Sequence, residues 1–119
     1  IAMACSKTGA RVADYTAAPV YFSESQNGAH EWLIEFVNKP ENLEAFTMEL
    51  DKALQGLNGD YEAKRQSDLA LRMPKVHAVP EGFFSRWLDG KGKAGGQHKV
   101  PRLSNERKTM DEMLRILYP

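Results

Sequence analysis

The 119-residue chain has the length of one domain, and its 42% hydrophobic and 27% charged residues are those of a globular protein rather than a disordered one. Lys plus Arg and Asp plus Glu both total 16, yet residues 1–60 hold 4 cations against 9 anions and residues 61–119 hold 12 against 7. No apolar run reaches the ~18 residues of a bilayer span, and the single cysteine, Cys5, excludes an internal disulfide and reads as a buried structural thiol.

The opening Ile1-Ala2-Met3-Ala4-Cys5 lacks the basic region and cleavage site of a secretory signal, so a cytoplasmic location is expected. A start inside a helical pattern suggests a piece of a longer polypeptide. The first helix, over residues 1–8, should stop at Gly9. Residues 12–22 are then rich in β formers, Gln26-Asn27-Gly28 signals a tight turn, and residues 29–37 alternate, with His30, Trp32, Ile34 and Phe36 on one face. This pattern predicts a β-hairpin with one buried side. Pro19 assigns its first strand to an edge or a bulge, and Glu31 and Glu35 fall on the other face, which should be solvated.

From Glu41 the period becomes helical, with Leu43, Phe46, Leu50, Leu54 and Leu57 as the inner stripe up to Asn58-Gly59. A second helical piece runs from Tyr61 to about Ser67 with Asp60 as its N-cap. A short strand is expected within residues 71–79, after which Pro80-Glu81 opens a helix carrying Phe83, Phe84, Trp87 and Leu88. Ser104 or Asn105 should cap a final helix with Met110, Met113, Leu114 and Leu117 inward. The order predicts an α+β fold, with a small mixed or antiparallel sheet containing a hairpin and helices packed on it in two or three layers.

Between the last two helices lies Gly90-Lys91-Gly92-Lys93-Ala94-Gly95-Gly96-Gln97-His98-Lys99-Val100-Pro101-Arg102. Gly90, Gly92 and Gly95 spell a G-x-G-x-x-G, but a dinucleotide fingerprint must follow a strand and open a helix, and this one follows a helix. Gly90, Gly92, Gly95 and Gly96 read instead as a flexible loop. Beyond it, Val100-Pro101 forces extended backbone, on which Lys99 and Arg102 would point the same way, about 9 Å apart. A movable ammonium and a planar guanidinium suit a phosphate or carboxylate; a solvated loop is the other account of the same residues. His30, His77 and His98 have no metal-ligand spacing among themselves or with Cys5, so no metal site is indicated, and His30 reads as a hydrogen-bonded core histidine.

A family resemblance sharpens this. Leu57-Asn58 followed by Tyr61-Glu62 and Lys64-Arg65, then Val79-Pro80-Glu81-Gly82-Phe83, then Gly96-Gln97-His98-Lys99-Val100-Pro101-Arg102, resemble in order and spacing the C-terminal domain of the auxin-responsive Gretchen Hagen family of acyl acid amido synthetases. Gly28-Ala29-His30-Glu31-Trp32 is similar to bacterial members, and the resemblance covers about residues 1–105. It implies that residues 1–119 form one C-terminal lid domain of a larger adenylate-forming ligase. An N-terminal domain of the same polypeptide would hold ATP and magnesium, a carboxylic acid and an amine. By the same resemblance Lys99 approaches the α-phosphate, Gln97 and His98 lie near nucleotide or substrate, and Pro101-Arg102 anchors the segment; His98 departs from the Tyr or Phe of plant members. The domain would not be active alone. The rival reading is a non-catalytic module that uses its basic C-terminal half on nucleic acid or an acidic partner. The aromatic residues do not interleave with basic ones on strands, which argues against nucleic acid.

Overall fold

The structure, a computed structural model, describes residues 1–21, 28–66, 71–95, 102–103 and 107–119. In chain order the elements are α1 (Ala2–Thr8), β1 (Arg11–Tyr21), β2 (Gly28–Asn38), α2 (Leu43–Leu57), α3 (Gly59–Arg65), β3 (Lys75–Val79), α4 (Phe83–Gly95) and α5 (Lys108–Leu117). The sheet has the order β1-β2-β3, with β1 and β2 antiparallel and β2 and β3 parallel. A parallel neighbour requires a long crossover, and α2 and α3 supply it. The fold is therefore α+β with a mixed sheet, and Pro19 lies in an edge strand as its missing N–H demands.

Strand β2 is buried on both faces. Trp32, Ile34 and Phe36 point toward Ala4 of α1 and Phe46 and Leu50 of α2, with Cys5 half-buried at the margin. Leu33 points the other way, into a cluster of Phe83, Phe84 and Trp87 from α4 and Met110 and Met113 from α5. Helices thus cover both sides of the sheet in a three-layer arrangement. The predicted inner stripe of α2 holds through Phe46 and Leu50, but Leu57 is exposed at the helix end.

Local chemistry sets the helix ends. Gly9 caps α1 at φ 75, a left-handed conformation that costs other residues more. Asn42 accepts from the Ala45 amide at the start of α2. Asn58, rather than Asp60, caps α3, accepting from the Asp60 and Tyr61 amides, so the helix opens earlier than its sequence pattern suggested. Helix α5 opens at Lys108 with no side-chain cap from Arg107; Ser104 and Asn105, expected in that role, lie outside the described residues.

Helix α4 runs to Gly95, so Gly90, Gly92 and Gly95 are helical, a correction to the loop expected there. Glycine costs only about 1 kcal/mol per helical position, and the helix formers Lys91, Lys93 and Ala94 between them favour continuation. Gly96 lies outside the described residues.

Helices α2 and α3 are joined by a buried ion pair. Arg65 donates from Nε to Asp51 Oδ1 (2.8 Å) and from Nη2 to Asp51 Oδ2 (2.9 Å), while the Tyr61 hydroxyl donates to Asp51 Oδ1 (2.6 Å). Arg65 also donates to the Leu71 carbonyl, fixing the approach to β3. The Arg65 and Asp51 side chains are 12% and 6% exposed, whereas those of the Lys64–Asp60 pair are 56% and 75% exposed. Asp51→Ala should therefore cost about 3–5 kcal/mol in urea unfolding, because it strands a buried guanidinium. Asp60→Ala should cost less than about 1 kcal/mol in the same experiment.

Candidate functional site

The end of the basic segment is docked on the free edge of β1. The Ala17 amide donates to the Arg102 carbonyl (3.1 Å), and Leu103 forms a parallel bridge with Ala17. The Arg102 guanidinium lies over the Tyr15 ring, 4.6 Å from its centroid, and its Nη2 is 3.6 Å from Asp14 Oδ1. Asp14 is itself held, accepting from the Tyr15 amide through Oδ1 (2.8 Å). Tyr15 packs in turn on buried Trp32, with ring centroids 5.7 Å apart. A register shift between Val12 and Asp14 bulges β1 at this point, a device that re-aims side chains at sheet edges.

Of the residues expected to act on a phosphate, Arg102 is thus seen as a docked cation at a sheet edge. Gln97, His98 and Lys99 lie outside the described residues.

A second charged constellation gathers on the other face of the sheet. Glu31, expected on a solvated face, is buried beneath α5. Arg107 donates to Glu31 Oε1 (2.8 Å), to the Pro19 carbonyl (3.1 Å) and to Asp111 Oδ1 (2.7 Å). His77 Nε2 lies 2.7 Å from Glu31 Oε2, and His77 Nδ1 lies 3.0 Å from the Tyr118 hydroxyl. Glu35 is also engaged, accepting from the Phe84 amide in the first turn of α4 (3.4 Å), where a carboxylate complements the helix dipole. Strand alternation identified the face of both glutamates; the helices that cover it come from more than 45 residues later in the chain, which a local pattern does not report.

His30 is half-buried and stacks on Tyr61 at 5.8 Å. It lines a cavity of about 350 Å³ with Asn58, Asp60 and Lys64. Among the described residues no group of three or more His, Cys, Asp or Glu side chains could hold a metal ion, and no helix is long and apolar enough to cross a membrane.

Fold and edge together define a class: a three-layer α+β domain with a cationic segment ending on a free strand of its sheet. The family model for the GH3 family C-terminal domain matches residues 1–108. The chain belongs to this family, the one its sequence resembles. A solved structure of the GH3.15 acyl acid amido synthetase matches with a TM-score of 0.69 at 20% identity, over 96% of this chain and 20% of that one. A structure of the AtGH3.15 acyl acid amido synthetase in complex with 2,4-DB matches with a TM-score of 0.69 at 17% identity, over 96% and 21%. At such identities the likeness is one of fold, and the chain spans about one fifth of the length of these structures. No curated protein matches.

Three groups, the half-buried His30 and the buried Glu31 and Asp51, make stability depend on pH in one direction. Burial, and then the charge of Lys64, lower the His30 pKa below its ordinary 6.5. The His77 hydrogen bond, against burial and helped by Arg107, holds Glu31 below 4.5. Burial pushes Asp51 upward, but its bonds from Arg65 and Tyr61 together outweigh it and hold the carboxyl below 3.8. In each case the unfolded chain binds the proton first on acidification, so stability falls with pH. Unfolding free energy should decline in two stages, one beginning below pH 6.5 and one below pH 4.5. Urea titrations across this range should show that His30→Gln removes the first stage and keeps the second.

Proposed function

We propose that this chain is the mobile C-terminal lid of an ATP-dependent acyl acid amido synthetase of the bacterial type, working in the cytoplasm with an N-terminal domain of the same polypeptide. The single observation that best supports the reading is the docking of Arg102, the last residue of the Gln97–Arg102 motif, on the edge of β1. Membership of the family supplies the chemical context.

In the first half-reaction a carboxylate oxygen attacks the α-phosphate of ATP and pyrophosphate leaves. In the second an amine attacks the acyl carbon and AMP leaves. Lys99 presents its ammonium to the α-phosphate, where negative charge builds during attack; one such positioned donor typically contributes a few kcal/mol. Gln97 and His98 flank it near nucleotide or substrate. Closure of a lid also keeps water from the acyl adenylate.

The groups that this chain offers suit the phosphates rather than their metal. Magnesium supplies charge neutralisation of the phosphates when bound. The basic segment is a donor set without carboxylates, so in this proposal the magnesium would be held by residues of the N-terminal domain.

Two of the twelve cations on which the rival reading, a basic binding module, draws are used inside the fold. Arg65 and Arg107 of the basic half pair with Asp51 and Glu31 of the acidic half.

Lys99→Ala in the polypeptide that carries both domains should lower acid-dependent pyrophosphate exchange by about 10² or more while leaving the protein folded. Exchange near the wild-type rate in a folded variant would remove Lys99 from the chemistry and the lid reading with it.

A further inference from the structure

We infer that Asp14 and Tyr15 are positioning residues that hold Arg102 on the β1 edge and thereby set the reach of Lys99, three residues upstream. The inference rests on the function proposed above and adds to it two residues from the opposite end of the chain.

The geometry is that of a built dock rather than a chance surface contact. Four separate interactions converge on the 102–103 step. These are the Ala17–Arg102 backbone bond, the Ala17–Leu103 bridge, the guanidinium over Tyr15 and the Asp14 carboxylate. Two of them are backbone contacts that place the chain, and two read the side chain, so the site discriminates arginine. A guanidinium can lie flat on a ring and face a carboxylate at the same time, whereas an ammonium forms no planar stack. Tyr15 is braced from behind by Trp32, which is buried, and the Asp14 carboxylate is braced by the Tyr15 amide. The bulge beside Asp14 supplies the local twist that aims both side chains at the edge.

The other side of the same stretch is pinned as well. Arg107 donates to the Pro19 carbonyl, so residues 102 and 107 attach to β1 within two residues of each other. The strand edge consequently fixes residue 102, and under the proposed function a misplacement of about 1 Å at a reacting group can cost up to 10²-fold in rate.

Two measurements test this. In the polypeptide that carries both domains, Tyr15→Ala and Arg102→Lys should each lower kcat for pyrophosphate exchange by about tenfold, with KM for ATP little changed. Tyr15→Phe, which keeps the ring, should restore the rate. In the 119-residue chain, the Ala17 amide should exchange with solvent about tenfold faster in Tyr15→Ala and in Asp14→Asn than in Tyr15→Phe. This edge-facing N–H donates to the Arg102 carbonyl, so its protection reports the dock directly. If Lys99→Ala lowers exchange but Tyr15→Ala and Arg102→Lys do not, the positioning role is overturned and the lid reading stands. If Lys99→Ala itself is without effect, the lid reading fails and this inference fails with it. Unchanged protection of the Ala17 amide in both Tyr15→Ala and Asp14→Asn would overturn the dock whatever the activities show.

Discussion

Strand β2 must be covered on both sides, and the rest of the structure follows from that constraint. Its apolar residues Trp32, Ile34 and Phe36 face one helical layer, and Leu33 faces another. Burying a side chain of this size gains about 1.5–3 kcal/mol relative to leaving it exposed, so neither face can be left to solvent. The crossover through α2 and α3 closes the first face and delivers β3; α4 and α5 close the second. Both outer layers then leave β1 at the sheet edge, and that edge is the place where Arg102 is received.

Charge is the second organising feature. The acidic first half and basic second half read, along the sequence, like a surface waiting for an anionic partner. In the fold some of these charges are partners of each other: Asp51 with Arg65, Glu31 with Arg107, Asp14 with Arg102. The first two pairs are largely removed from water and serve to hold elements in register, since a buried charge without its partner costs several kcal/mol. The third is exposed, and its guanidinium is stacked as well as paired. Of the twelve cations in the second half, two therefore do structural duty and a third marks a candidate functional edge.

How much of this the sequence disclosed varied with the range of the forces involved. Local signals were legible: the αL glycine ending α1, the alternation of β2, the helical stripe of α2, and proline in an edge strand. The α+β class and family resemblance were legible too. The environment of Glu31 was not, because alternation reports a face without reporting what covers it. Nor was the helical state of Gly90, Gly92 and Gly95, where three glycines outweighed, in a local reading, the helix formers between them. The resemblance singled out the segment ending at Arg102; its receptor at Asp14 and Tyr15 carried no motif and emerged only from the meeting of two stretches 87 residues apart.

The most direct test of the account is a crystal structure of the two-domain polypeptide bound to a non-hydrolysable acyl-adenylate analogue. Arg102 should lie on Tyr15 and Asp14, and the Lys99 ammonium within about 3 Å of the group that replaces the α-phosphate. A structure in which the domain covers the analogue with Lys99 turned to solvent, or with Arg102 detached from β1, would contradict it.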